Sequence, residues 1–286
     1  MEIGNRIKCY EIKSEYYLSK DEPVIIRIDG HHFSKFTSGF KKPFDHIFRT
    51  AMIETTKDLH NRFNAYTSYT QSDEISLYLP VLKDKRTNEN LEHQFNGRTQ
   101  KLVSLASAYA TVCFNRHLRK LLEDYKQTID NENSNDEFND EMRDYAKKWK
   151  YHRSLLNKLD LAYFDARAFN VPCIEEVANT FIWRARDCVK NSKGTFAQAY
   201  CSHKELQNKN SEEQIQYTLE NYNADWNTIE DKYKYGILIK KELYQKEIDI
   251  HSGETGLCTR SRLKELYVPM NTYTDELVQL ISQKNI

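Results

Sequence analysis

The chain has 286 residues, 39% of them hydrophobic and 29% charged, enough for one large domain with a buried core and a well-solvated surface. Lysine plus arginine and aspartate plus glutamate each number 42, so the formal charge is zero and affinity for nucleic acid has to come from local clusters. No run approaches the roughly 18 apolar residues of a membrane span, Met1–Lys8 does not read as a secretory signal, and the six scattered cysteines exclude the common zinc spacings and a disulfide framework, which points to a cytoplasmic protein.

In chain order, the β-branched run Pro23–Gly30 predicts a first strand ending at a turn residue. A helix is expected over Pro43–Asn61, with proline suited to its first turn. Ala65–Tyr69 and Ile75–Leu79 read as strands; in the second, Ile75, Leu77 and Leu79 alternate with Ser76 and Tyr78. The residues between them, Thr70–Glu74, form the tip of a predicted hairpin. Leu102, Leu105, Ala106, Tyr109, Val112 and Cys113 recur at helical spacing within Asn96–Glu123. The acidic, asparagine-rich tract Asp130–Glu137 has little to bury and predicts a mobile loop near residues 128–142. Ala162–Phe169 is a further strand, stopped by Pro172, and from Glu175 onward the chain reads mainly as helices. Strand, helix, strand, strand, helix, strand is the order of a ferredoxin-type antiparallel sheet, so the fold class is α+β. Polymerase palms and nucleotide cyclases use that sheet, as do proteins without catalysis.

The chemistry concentrates in carboxylates. Asp29 ends the first strand, and Asp73 and Glu74 lie at the hairpin tip. If these elements are neighbours the acids converge, and clustered carboxylates are costly without a cation. Oxygen-only ligands suit Mg²⁺, and two such ions can activate a hydroxyl and stabilise a leaving pyrophosphate. Asp29 and Asp73 are the candidate ligands with the Gly30 carbonyl nearby, and Glu74 takes a secondary role because adjacent strand residues face opposite ways. The same aspartates also suit turn capping. Arg98 and Lys101 sit near the start of a helix, where an anion such as a triphosphate would be welcome. Between Trp183 and Lys209, Arg184, Arg186, Lys190, Lys193, Lys204 and Lys209 face only Asp187 and Glu205, and Lys232–Gly236 interleaves Lys232 and Lys234 with tyrosines. Such patches suit an RNA backbone and unpaired bases, although a charge run also serves as a solvated face. His31–His32 and Cys201–Ser202–His203 carry no comparable argument, because sequence neighbours rarely converge on one ligand.

Together, Arg27-Ile28-Asp29-Gly30, Lys42-Pro43-x-Asp45, Tyr69–Glu74, Arg98-x-x-Lys101, Phe164-Asp165-x-Arg167 and Trp183-Arg184-x-x-Asp187-Cys188 resemble, in the same order, the motifs of the tRNA-histidine guanylyltransferase family. The resemblance implies a palm-like core over residues 1–172 and, over 173–286, a mainly helical extension for RNA binding and assembly. It implies that the 5′ phosphate of a tRNA is activated from ATP or GTP, and that the 3′ hydroxyl of an incoming nucleotide then attacks it, so that RNA grows 3′-to-5′. Asp29, Gly30 and Asp73 would hold two Mg²⁺ ions with help from Glu74. Lys42, Asp45, Arg98 and Lys101 match nucleotide-binding positions, and Arg184, Arg186, Lys190, Asn191, Lys193, Lys204 and Lys234 are the RNA candidates. A homotetramer is also implied. After Asp187-Cys188 the family's histidine is missing although Asn191 remains, and Ser34 stands where a histidine is frequent. The chain is therefore more similar to the guanylyltransferase-like branch, which repairs 5′-truncated tRNAs against a template. A palm-type nucleotide cyclase, needing no basic RNA face, and a non-catalytic RNA-binding protein are the alternatives.

Overall fold

The computed structural model describes residues 2–132, 140–250 and 254–286. In chain order the elements are α1 (Ile3–Ile12), β1 (Val24–Gly30), α2 (Phe33–Phe36), α3 (His46–Phe63), β2 (Thr67–Gln71), β3 (Glu74–Leu79), α4 (Thr99–Glu132), α5 (Asp140–Leu156), β4 (Phe164–Asn170), α6 (Ile174–Tyr200), α7 (His203–Leu206), α8 (Ser211–Tyr222), α9 (Asp231–Lys234), β5 (Ile237–Ile250), β6 (Glu254–Leu266) and α10 (Asp275–Ser282). One antiparallel sheet has the order β4-β1-β3-β2-β5-β6. Its first four strands, with α3 and α4, make the expected β-α-β-β-α-β unit.

β1 opens with three consecutive buried apolar residues, Val24–Ile26, because both of its faces are covered there. Val24, Ile26 and Ile28 pack with Met52, Leu59, Leu102 and Phe114 of α3 and α4. Ile25 faces the other way, toward Tyr69, Tyr78, Phe181 of α6 and Leu277 of α10. At the end of β1, a Cβ on Gly30 would come within 2.4 Å of the Phe33 ring, so only glycine lets α2 fold back over the strand end. α3 starts where Asp45 accepts from the Phe48 amide at 3.0 Å, and ends at Asn64, which adopts the left-handed conformation.

The hairpin is tighter than its sequence implied. Gln71 pairs with Glu74, leaving a two-residue turn, Ser72–Asp73, in place of a five-residue tip. Ser72 has a φ of 46°, the positive value that primed hairpin turns carry at a central position. The expected acidic loop divides: Thr128–Glu132 continues α4, and residues 133–139 lie outside the described residues.

The C-terminal portion carries the helices α6 to α10 but also β5 and β6, which the sequence did not reveal. The reason is physical. Lys241–Lys246 is rich in good helix formers, and β5–β6 beyond Lys241 is largely exposed, so the pair lacks the alternation of a half-buried strand. β5 joins the sheet through Ile237–Ile239 against Ser68–Thr70. Lys240 anchors it: the fully buried ammonium donates to the Tyr66 carbonyl at 3.0 Å, Thr67 Oγ1 at 2.9 Å and the Gln283 carbonyl. Burial pushes its pKa down to about 8.

His60, on α3, is 1% exposed, and its Nδ1 lies 2.8 Å from Ser68 Oγ. Burial, with further repulsion from Lys241 and Lys240, lowers its pKa to about 4 from 6.5. Below 6.5 the unfolded chain takes up a proton that the folded chain refuses. Stability from this site is therefore full above pH 6.5, falls as pH drops toward 4 and levels off below, a change of roughly 3 kcal/mol. Urea unfolding at pH 7 and pH 4.5 tests this: His60→Gln should lose distinctly less stability than wild type between the two, and equal losses would refute the assignment.

Candidate active site

Three strand registers meet at one end of the sheet. Asp29 pairs with Glu74 on one side and with Asp165 on the other. Residues directly opposite in an antiparallel sheet share a face, so Asp165, Asp29, Glu74 and Gln71 form a row across four strands on the face that α6 covers. Asp73 joins from the turn, its carbonyl accepting the Gly30 amide at 3.1 Å. Burial, then repulsion from Asp165, raises the pKa of Asp29, with Arg184 pulling the other way. Burial, then repulsion from Asp29, raises that of Asp73. Asp73 therefore lies close enough to Asp29 for that carboxylate to disfavour its charge.

Glu74 has a different neighbour. Arg184 of α6 donates from Nε to its carboxylate at 2.5 Å and from Nη2 to Asp187 at 2.9 Å. Burial still pushes Glu74 up, to about 7, against that pull. Arg184 is 7% exposed. Its expected RNA contact is thus corrected: it is a counter-charge inside the acid cluster.

Beyond the Ser72–Asp73 turn a cavity of about 350 Å³ opens, walled by Phe40, Phe44, Phe48 and Tyr233. Phe44 and Tyr233 stack with centroids 4.8 Å apart. Lys41, Lys42, Arg49 and Lys232 border it, against one carboxylate, Asp45. That carboxylate is already engaged by the amides of Lys41 and Phe48 and by the Tyr151 hydroxyl, so Asp45 shapes the pocket as a helix cap. α6 contributes Cys188, Asn191, Ser192 and Thr195 to the far wall. Asn191, which donates to Asp187 at 3.2 Å, therefore lines this pocket.

The structure does not bring Arg98 and Lys101 here. The start of α4 is tied to Tyr16–Leu18, whereas Thr111, twelve residues and roughly 18 Å further along, meets Phe164 at the site end of β4. Arg98 instead faces Glu15 at 3.9 Å. Of the remaining RNA candidates, Lys234 is 9% exposed and bound to Asp231 and the Asn227 carbonyl. Lys193 pairs with Glu212 and lies over the Trp226 ring. Both positive charges are spent within the fold, which corrects their RNA role. Arg186, Lys190 and Lys204 are exposed. His31 stacks on Tyr163, and Ser202 caps α7, so both set-aside motifs have structural work.

Sequence reasoning missed Arg49, Gln71, Lys232 and Tyr233 as pocket residues, and Asp165 and Asp187 as members of the cluster. Asp165, Asp187 and Gln71 stood inside quoted motifs, and Lys232 and Tyr233 inside the segment read as an RNA patch; Arg49 alone gave no signal before the fold was known. Among the described residues no three His, Cys, Asp or Glu side chains form a ready metal cage. Two repelling carboxylates beside a main-chain carbonyl still fit Mg²⁺, which takes one or two carboxylates and fills its octahedron with water and phosphate.

The family model described as tRNAHis guanylyltransferase matches residues 4–172. An uncharacterized protein of Acanthamoeba polyphaga mimivirus is 35% identical over 250 residues, 86% of this chain and 79% of that protein. The tRNA(His) guanylyltransferase of Debaryomyces hansenii is 26% identical over 255 residues, 84% of this chain and 81% of that enzyme. Among solved structures, a bacterial tRNA(His) guanylyltransferase-like protein in complex with ATP is 30% identical with a TM-score of 0.73, covering 98% of this chain and 99% of its own. One in complex with GTP is 29% identical with a TM-score of 0.65, covering 98% and 100%. The chain belongs to the tRNAHis guanylyltransferase family, a family of nucleotidyltransferases.

No described helix is long and apolar enough to cross a membrane. The Glu74–Arg184 pair yields a stability test. Its side chains are 7% and 8% exposed, so Arg184→Met strands a buried carboxylate and should cost about 3–5 kcal/mol in chemical denaturation. The double variant Glu74→Gln, Arg184→Met should recover much of that loss; no loss in the single variant would show the pair to be energetically idle.

Proposed function

We propose that this chain extends the 5′ end of tRNA in the 3′-to-5′ direction, most naturally on 5′-truncated tRNA read against the opposite strand, with guanylylation of tRNA-His as a special case. The observation that carries this reading is Asp73, repelled by the neighbouring Asp29, standing beside a cationic, aromatic-walled pocket. A nucleoside polyphosphate needs both: cations and ring stacking for itself, and acids to hold the metal ions that accompany it. The relatives bound to ATP and to GTP support the same ligand class here.

In this reading Asp29, Asp73 and the Gly30 carbonyl would hold two Mg²⁺ ions. When bound, magnesium supplies Lewis-acid stabilisation of the phosphoryl oxygens and of the leaving group. The Phe44–Tyr233 stack offers the base an aromatic wall, and Lys42 meets the phosphates at the pocket mouth. Arg184 fixes Glu74, keeping its carboxylate from drifting toward the ligand pair. In the first reaction the 5′ phosphate of the RNA attacks the α-phosphate of ATP or GTP and pyrophosphate leaves. In the second, the 3′ hydroxyl of the incoming nucleotide attacks the activated 5′ phosphate, and the nucleoside monophosphate leaves. The exposed Arg186, Lys190 and Lys204 along α6 and α7 are the contacts we assign to the RNA backbone. Residues 1–172 act as the catalytic core; because α6 and Tyr233 wall the pocket, residues 173–286 serve both the RNA and the nucleotide. A cytoplasmic homotetramer completes the proposal, supported by the family alone.

The test uses labelled tRNA lacking its 5′ nucleotide, with Mg²⁺, ATP and all four NTPs. Wild type should add nucleotides complementary to the facing strand. Asp29→Asn and Asp73→Asn, like chelation of the metal, should slow addition roughly a thousandfold or more. Folded wild-type protein that extends neither truncated tRNA nor tRNA-His would overturn the proposal.

A further inference from the structure

At the floor of the pocket, Arg49 is 5% exposed and Gln71 3% exposed. Arg49 Nη2 donates to the main-chain carbonyls of Thr70 at 3.1 Å and Lys232 at 3.0 Å. Among the described residues its buried Nε and Nη1 have no hydrogen-bond partner, and neither has Gln71 Oε1, an acceptor. A guanidinium does not shed its proton in proteins, so this one carries a full charge where an unpaired charge is costly. The carboxylates around it are engaged elsewhere. Glu265 is held by Lys57 at 2.8 Å and by the Tyr267 hydroxyl, and Asp45 by its cap contacts. Lys42 at the same pocket deepens the deficit of negative charge, while Lys232 is paired with Glu230 at 2.6 Å.

We propose that Arg49, with the Gln71 amide next to the carbonyl it holds, forms an anion subsite that takes a phosphate group, separate from the Asp29–Asp73 pair. Guanidinium and phosphate match in charge and hydrogen-bonding geometry. The Gln71 amide carries both a donor and an acceptor, so it can give an N–H to a phosphate oxygen or accept from a neighbouring hydroxyl. The phosphate comes either from the polyphosphate tail of a nucleotide or from the 5′ end of the RNA. That assignment rests on the function proposed above; the anion subsite does not.

The experiment is calorimetric titration of the full chain in metal-free buffer, where the acid pair attracts no anion. Inorganic phosphate, pyrophosphate, adenosine, ATP, and RNA ending in a 5′ phosphate or a 5′ hydroxyl are compared on wild type, Arg49→Met, Arg49→Lys and Gln71→Met. Arg49→Met should weaken pyrophosphate about tenfold to a hundredfold and leave adenosine unchanged. Arg49→Lys should recover only part of the loss. A loss confined to ATP assigns the tail; a loss confined to the 5′-phosphorylated RNA assigns the terminus. Wild-type affinity for both inorganic anions in folded Arg49→Met overturns the subsite, and should that variant not fold, unchanged affinity in Gln71→Met does so. Normal pyrophosphate binding by a wild type that never extends RNA sinks the proposed function and leaves the subsite standing.

Discussion

Setting Asp29 opposite Glu74 on one neighbour and Asp165 on the other puts three carboxylates in one row across the sheet, an arrangement that electrostatics opposes. Register holds it there. Slipping β1 by one residue would turn Ile25 toward α3 and α4, and Ile26 and Ile28 toward α6, exchanging two well-packed faces at once. The buried Val24, Ile25, Ile26 and Ile28 thus fix the position of acids that contribute nothing to the sheet by themselves. Gly30 extends the same constraint, since Phe33 seals the core directly against its bare Cα.

The acid row then dictates what α6 must bring. Arg184 meets Glu74 and Asp187, and Asn191, one turn on from Asp187, ties that carboxylate from the other side. A helix that began as an apparent RNA-binding segment is in large part the counter-charge and far wall of the site. For this reason the pocket cannot be assigned to the N-terminal core alone. Its lining comes from α2 and α3, from the β2–β3 turn, from α6 and from Lys232–Tyr233. β5, anchored through Lys240, holds the last of these segments against β2.

What the sequence made legible follows from how each signal is generated. β1 and the β2–β3 hairpin announced themselves because burial on fixed faces leaves a periodic pattern, and the acids stood out as charges at the ends of that pattern. β5 and β6 left no pattern because most of their side chains reach solvent. Arg184, Lys193 and Lys234 were misread because sequence gives a charge its sign and not its partner; all three are spent inside the fold. Asp45 was legible as important but not as a cap, since a capping carboxylate and a ligand-binding one look alike until their hydrogen bonds are seen. Arg49 gave least of all: an arginine in an amphipathic helix reads as solvent-facing, and its burial beside Thr70 and Lys232, whose carbonyls it holds, appears only in the fold.

The two-residue turn is where these charges are kept apart. Asp73 lies on the acid side, while Ser72 and Gln71 open onto a pocket whose cations outnumber its single, occupied carboxylate. A longer loop would let Asp73 swing toward Lys42 or Lys232 and neutralise both halves. Held at a tight primed turn, the acids retain a need for cations and the pocket a need for anions. A polyanion carrying its own divalent ions, the ligand class proposed above, answers both needs together.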